Sequence, residues 1–148
     1  MVFFFQNDEM INSAEKCLVS ACLVGLCTRY DGRYKPDTHC LRHLEDRCWL
    51  PVCPEQLGGL PTPRTPADLV GGDGHWVLAG KARVIDANGH DVSAAFIRGA
   101  EQVLKIARAQ NITHALLKSG SPSCGIGDPV GVTAALLLEN NITCTEYG

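Results

Sequence analysis

The sequence predicts an α/β fold: a single three-layer (Rossmann-like) domain with a small, mostly parallel sheet, a proline-rich loop and a hairpin insertion. Three observations carry this reading. Three short apolar runs each end at a cysteine or at a turn holding one: Leu18–Ala21 before Cys22, Leu50–Val52 before Cys53, and His114–Lys118 before Ser121-Pro122-Ser123-Cys124-Gly125. Apolar runs of that length read as strands buried on both faces. A long amphipathic segment then runs straight into one of them, which is the signature of an αβ unit. Finally, 148 residues with 45% hydrophobic and 20% charged side chains is ordinary for one globular domain.

Taken in order, residues 1–16 read as an N-terminal extension and residues 17–148 as the domain. A poorly ordered tail is the expectation for the extension, despite Phe3, Phe4 and Phe5. Cys17–Ala21 reads as a central strand. Pro36-Asp37 opens a helix through Arg47, with Asp37 as N-cap and Cys40 and Cys48 as core candidates on it. Trp49–Val52 is the second strand, and Pro51 marks it as an edge or a strand end. The run Leu60–Pro66 holds three prolines and favours extended chain. His75–Leu78 and Ala82–Ile85 pair as a hairpin. Val92–Gln110 is the longest helix, started by Asp91 and ended by a left-handed Asn111. Strand Thr113–Lys118 follows, and Asp128-Pro129 starts a closing helix to Asn140, apolar nearly all round. Ile142–Glu146 is a last short strand.

A formal charge of -3 and the lack of a Lys/Arg-rich run argue against nucleic acid as a partner. No apolar stretch reaches the ~20 residues that span a bilayer, so no membrane partner is expected. The N-terminus lacks a basic region before its apolar run, so it is not a secretory signal. A reducing cytoplasm is the expected compartment, where eight cysteines point to metal or catalysis rather than to four disulfides. No C-x-x-C occurs, which disfavours a zinc ribbon or a thioredoxin-type pair. The five histidines have no metal spacing.

In parallel α/β sheets, sites form outside the carboxyl ends of the strands. Cys22, Cys53 and Cys124 each lie just past a predicted strand. Cys17 and Cys144 lie within strands, Cys40 and Cys48 lie on a helix, and Cys27 sits in a loop that can fold either way. The alternative is that all eight are reduced and simply packed. Three converging thiolates suit zinc with a fourth ligand, or a cubane cluster with one open iron. Their crowded charge needs compensation from the helix N-terminus at Pro129, from glycine amides, and from Arg29 and Arg64.

The runs Ser20–Gly25, Arg29–Gly32, Pro51–Arg64, Phe96–Ala100 and Lys118–Gly125 together resemble the thiouracil desulfidase family, long treated as a domain of unknown function. Gly131–Leu137 fits that family's closing helix. The resemblance spans about Lys16 to Tyr147, and its Cys-Pro-Glu…Gly-Gly-Leu-Pro-Thr-Pro-Arg run is the specific part. It implies a [4Fe-4S] cluster on Cys22, Cys53 and Cys124. The fourth iron would take the sulfur of a thiolated nucleobase such as 2-thiouracil, which is hydrolysed to uracil and sulfide without net redox change.

On that resemblance a carboxylate must move protons. Glu55 is the first candidate and Asp31 the second, with Ser121 and Ser119 as hydrogen-bond partners of the base edge or the attacking water. Arg29, Arg64 and Ser123 are the substrate-binding candidates. Each has a plainer reading: Glu55 closing a turn, Asp31 and Ser121 setting turns, Arg64 anchoring its loop to a carbonyl. The segment Ile126–Val130 is short for the family, so a flap over the substrate is missing or is replaced by residues 1–16 or a neighbouring subunit. The resemblance leaves a monomer or homodimer open. A non-catalytic iron–sulfur or zinc module is the competing class.

Overall fold

The computed structural model describes residues 16–148, so the expected N-terminal extension lies outside the described residues except for Lys16, which opens the first strand. The chain runs β1 (Lys16–Ser20), a 3-10 turn (Ala21–Val24), α1 (Thr38–His43), β2 (Cys48–Val52), α2 (Pro54–Leu57) and β3 (Ala67–Val70). It continues α3 (Gly74–Leu78), β4 (Arg83–Asp86), α4 (Ser93–Ala109), β5 (His114–Lys118), α5 (Val132–Glu139) and β6 (Thr143–Tyr147). Among the described residues, no helix is long and apolar enough to cross a membrane.

The main sheet has the order β2-β1-β5-β6, with every pair parallel. The chain steps from β1 out to β2, then crosses back over β1 to reach β5. The winding therefore reverses beside β1, and the carboxyl ends of β1 and β5 flank the reversal, where ligands gather in such sheets. Alternation along the strands sorts the core into two layers. Leu18, Ala115 and Leu117 pack with Val103, Leu104 and Ala107 of α4 and with Ala134 and Leu137 of α5. Cys17, Val19 and Leu116 face the other way, onto Cys40 and Leu44 around α1. The three expected layers are thus helices α4 and α5, the sheet, and α1.

β2 occupies the edge of the sheet, as Pro51 indicates, because an edge tolerates a missing N–H. The helix around Pro36–Arg47 is shorter than expected. Asp37 caps it by accepting from the Cys40 amide, but it ends at His43. Cys40 is fully buried, whereas Cys48 belongs to β2 and is exposed, because the covering layers stop short of the edge. The expected hairpin of His75–Leu78 with Ala82–Ile85 is also corrected. The antiparallel partner of β4 is β3, and His75–Leu78 lie in α3. The Asp73 carboxylate accepts from the His75 and Trp76 amides, and this cap overrides the strand preference of Trp-Val-Leu.

α4 matches its amphipathic pattern: Phe96, Gly99, Ala100, Val103, Leu104 and Ala107 are buried, and Asn111 takes φ 53 at its end. The closing helix begins at Val132 rather than Pro129. Its first amides are committed to the cysteine turn: Val132 N donates to Pro122 O at 2.9 Å and Ala134 N to Ser123 O at 3.0 Å. They are therefore unavailable as an electropositive end for the thiols.

Two glycines let α2 lie directly on α4. A methyl on Gly99 would fall 1.9 Å from the Pro54 carbonyl oxygen, and one on Gly58 would fall 2.0 Å from the Ala95 carbonyl oxygen. Arg98 closes the contact by donating to Gly58 O at 2.9 Å. Because α2 follows Cys53 directly, this seam positions that thiol. Gly99→Ala is expected to overpack the seam and cost about 1–3 kcal/mol, read as a shift of the urea midpoint at unchanged slope.

Candidate functional site

A cavity of about 410 Å³ opens at the carboxyl ends of β1, β2 and β5. Of the eight cysteines, Cys22, Cys53 and Cys124 line it. Cys22 sits in the 3-10 turn after β1, Cys53 is the N-cap of α2 after β2, and Cys124 lies in the turn after β5. Cys27 is exposed and stays outside the lining. Among the described residues, no three of His, Cys, Asp and Glu converge on a point that would seat a single metal ion. Three soft thiols at three strand ends of one cavity are the donor type that an iron–sulfur cluster takes.

Burial pushes the Cys22 thiol up from its ordinary value, with Lys118 and Arg29 pulling against it. Burial pushes Cys124 up to about 12, opposed chiefly by the hydrogen bond from Ser20. These two thiols are therefore protonated at neutral pH in the bare protein, and loading a metal centre must release their protons. Cys40 and Cys144, at about 12 and about 11, are raised chiefly by burial and lie outside the cavity, as structural thiols should.

Glu55 faces the cavity from the first turn of α2 and is held at both oxygens. Arg64 Nε donates to Oε1 at 2.9 Å, and the Ser123 hydroxyl donates to Oε2 at 2.9 Å. With the Ser123 hydrogen engaged there, Ser121 stands 3.0 Å away as its donor. Ser121 Oγ in turn accepts from the amides of Ser123 and Cys124. Ser121 thus both sets the turn and joins a polar line that ends at the carboxylate. Gly131 lets α5 close against this turn, since a methyl there would lie 2.5 Å from the Ser123 carbonyl carbon.

All five N–H bonds of Arg64 have protein partners. Beyond Glu55 these are Pro61 O at 3.3 Å, Thr62 Oγ1 at 2.9 Å, Thr28 O at 2.8 Å and Cys53 Sγ at 3.8 Å. Its backbone amide donates to Tyr30 O at 2.8 Å. Arg64 therefore clamps the proline-rich loop and the 28–30 loop to Glu55, and no donor is left over for a substrate. The bonds to Pro61 O and Thr28 O match its plainer reading as a loop anchor.

Arg29 lines the cavity and gives Nε to Asp31 Oδ1 at 3.3 Å. Asp31 itself does not line the cavity. The Arg33 amide, then Arg29, hold its carboxyl below the usual range, so it serves as a partner of Arg29 in a loop. Ser119 lines the cavity beside Gly120.

The cavity also contains residues outside the candidate set: Ser20, Thr28, Tyr30, Lys35, Asp68 and Lys118. Ser20 is 2% exposed and accepts from the Lys118 amide at 3.0 Å, tying the ends of β1 and β5. A lone polar residue ending an apolar central strand was the signal for it. Lys118 ends the next strand in the same way. Asp68 arrives on β3, a strand that the sequence pattern did not reveal.

The family model described as 2-thiouracil desulfurase matches residues 17–147. The chain is 39% identical over 134 residues to the uncharacterized protein YbbK of Bacillus subtilis (strain 168), covering 82% of this chain and 89% of that one. Among solved structures it is similar to the [4Fe-4S]-dependent thiouracil desulfidase TudS, with 41% identity, a TM-score of 0.70, and coverage of 89% of this chain and 90% of that one.

The side chains of Arg64 and Glu55 are only 6% and 15% exposed. Arg64→Met should therefore leave a mostly buried carboxylate without its cation and cost about 3 kcal/mol, measured by urea unfolding of the bare protein. An unchanged midpoint would contradict the clamp.

Proposed function

Since the chain belongs to the 2-thiouracil desulfurase family, we propose that it removes sulfur from a small thiolated pyrimidine such as 2-thiouracil, yielding uracil and sulfide. In this reading Cys22, Cys53 and Cys124 would hold a [4Fe-4S] cluster. The observation that carries it is one cavity lined by these three thiols and by a carboxylate fixed at both oxygens. When bound, the cluster would supply an open iron that draws the thiocarbonyl sulfur as a soft Lewis acid.

The chain's own residues supply the rest. Glu55 takes a proton from the water that adds at the thiocarbonyl carbon, and the Ser123–Ser121 line orients that carboxylate. Ser119 and the donors of Arg29 not engaged by Asp31 hold the polar edge of the base. Arg64 is a positioning residue that aligns Glu55 with Cys53. Asp31 acts only through Arg29. The eight free thiols are the state that a reducing cytoplasm maintains. A single zinc ion is the competing reading.

Anaerobically reconstituted protein should be brown, carry about four irons with acid-labile sulfide, and release sulfide from 2-thiouracil. Cys124→Ala should lose both colour and activity. A loaded cluster without sulfide release from any thiolated base would favour a non-catalytic module, and one bound zinc would remove the cluster. Glu55→Gln should retain iron but lower kcat by about 10²–10⁴, measured as sulfide released under saturating substrate.

A further inference from the structure

Among the described residues, Cys53 is the cavity thiol whose sulfur meets a cation at hydrogen-bond distance: Arg64 Nη2 lies 3.8 Å from its Sγ. Cys53 occupies the N-cap of α2, but its side chain caps no amide there. Its sulfur turns instead to the neighbouring loop, where Sγ donates to Thr28 O at 3.7 Å. Arg64 Nη2 also donates to Thr28 O, at 2.8 Å. One nitrogen with two N–H bonds therefore serves both the sulfur and the oxygen. The other donors of the guanidinium go to Glu55, Pro61 and Thr62, which fixes its plane.

This triangle changes character when Cys53 becomes a metal ligand. A ligating cysteine is a thiolate, so the S–H donor to Thr28 O is lost. Sulfur and carbonyl oxygen are then two acceptors side by side. Arg64 Nη2 is the donor already bonded to both, and its bond to the sulfur becomes charge-assisted. Hydrogen bonds to ligand sulfurs withdraw electron density and help set the potential of an iron–sulfur cluster. A lysine in this place would carry the same charge without the planar fork, so charge and hydrogen bond can be separated by substitution.

We propose that Arg64 is the hydrogen-bond donor that holds Cys53 as a ligating thiolate and raises the reduction potential of the centre bound there. This inference rests on the reading that the three thiols carry a cluster, and it does not depend on the substrate.

The test uses anaerobically reconstituted protein containing arginine labelled with heavy nitrogen in the guanidinium group. Pulsed EPR of the reduced cluster should show coupling to the labelled nitrogen in the parent and lose it in Arg64→Lys. No coupling in the parent would overturn the proposal. Coupling that persists in Arg64→Lys would do the same, because another arginine would then be its source. A dye-mediated redox titration is the second readout. Arg64→Met should shift the reduction equilibrium at least about tenfold toward the oxidised cluster, about 59 mV for one electron. Arg64→Lys should shift it in the same direction by at least half as much. A midpoint in Arg64→Lys equal to that of the parent would also refute the proposal, since charge alone would then suffice. The coupling is read first on the parent, so an Arg64→Met chain that fails to fold does not shield the proposal from refutation. A parent that shows the coupling yet releases no sulfide from 2-thiouracil would overturn the proposed substrate and not this assignment. A parent that takes up no cluster would overturn both.

Discussion

The site depends on one guanidinium. Arg64 reaches from the proline-rich loop into the wall between Glu55, Thr28 and Cys53, and each of its donors ends on a protein atom. A planar fork with five fixed donors can join three chain segments at set angles, which a lysine could not do. The geometry of Glu55 follows, and through Glu55 that of Ser123, Ser121 and the Cys124 turn. The pair is mostly buried, so its worth lies in alignment more than in net stability.

Around that clamp, backbone contact does the positioning. Gly58 and Gly99 bring α2 onto α4 with no side chain between them, and Gly131 lets α5 close beneath Ser123. Parallel pairing of β1 with β2 and β5 then puts three strand ends in one place. The thiols meet because sheet order places them together, although Cys53 and Cys124 lie 71 positions apart in sequence. Their burial raises the Cys22 and Cys124 thiols above the ordinary value.

The electrostatic pattern of the cavity follows from partners rather than from residue types. Arg29, Arg64 and Lys118 all line it, yet they differ in what remains free. Arg64 is fully engaged by the protein, Arg29 is paired with Asp31, and Lys118 Nζ donates to the Gly148 oxygen at the end of β6. Counting positive residues would treat them alike.

Much was legible in the chain alone. Apolar runs ending at cysteines located β1, β2 and β5, Pro51 marked the edge strand, and the period of α4 named its buried face. Cys22, Cys53 and Cys124 could be separated from the structural cysteines because period and strand ends are local properties of the sequence. Three things needed the tertiary structure. His75–Leu78 folds as a helix because the Asp73 carboxylate caps it, leaving β3 to pair with β4. The closing helix starts late because its first amides bond to the cysteine turn. The roles of Arg64, Asp31, Ser20 and Lys118 were decided by hydrogen bonds to residues distant in sequence or by placement in the cavity wall. A side chain's type states what it can donate or accept, but only the fold determines which of those bonds are already made.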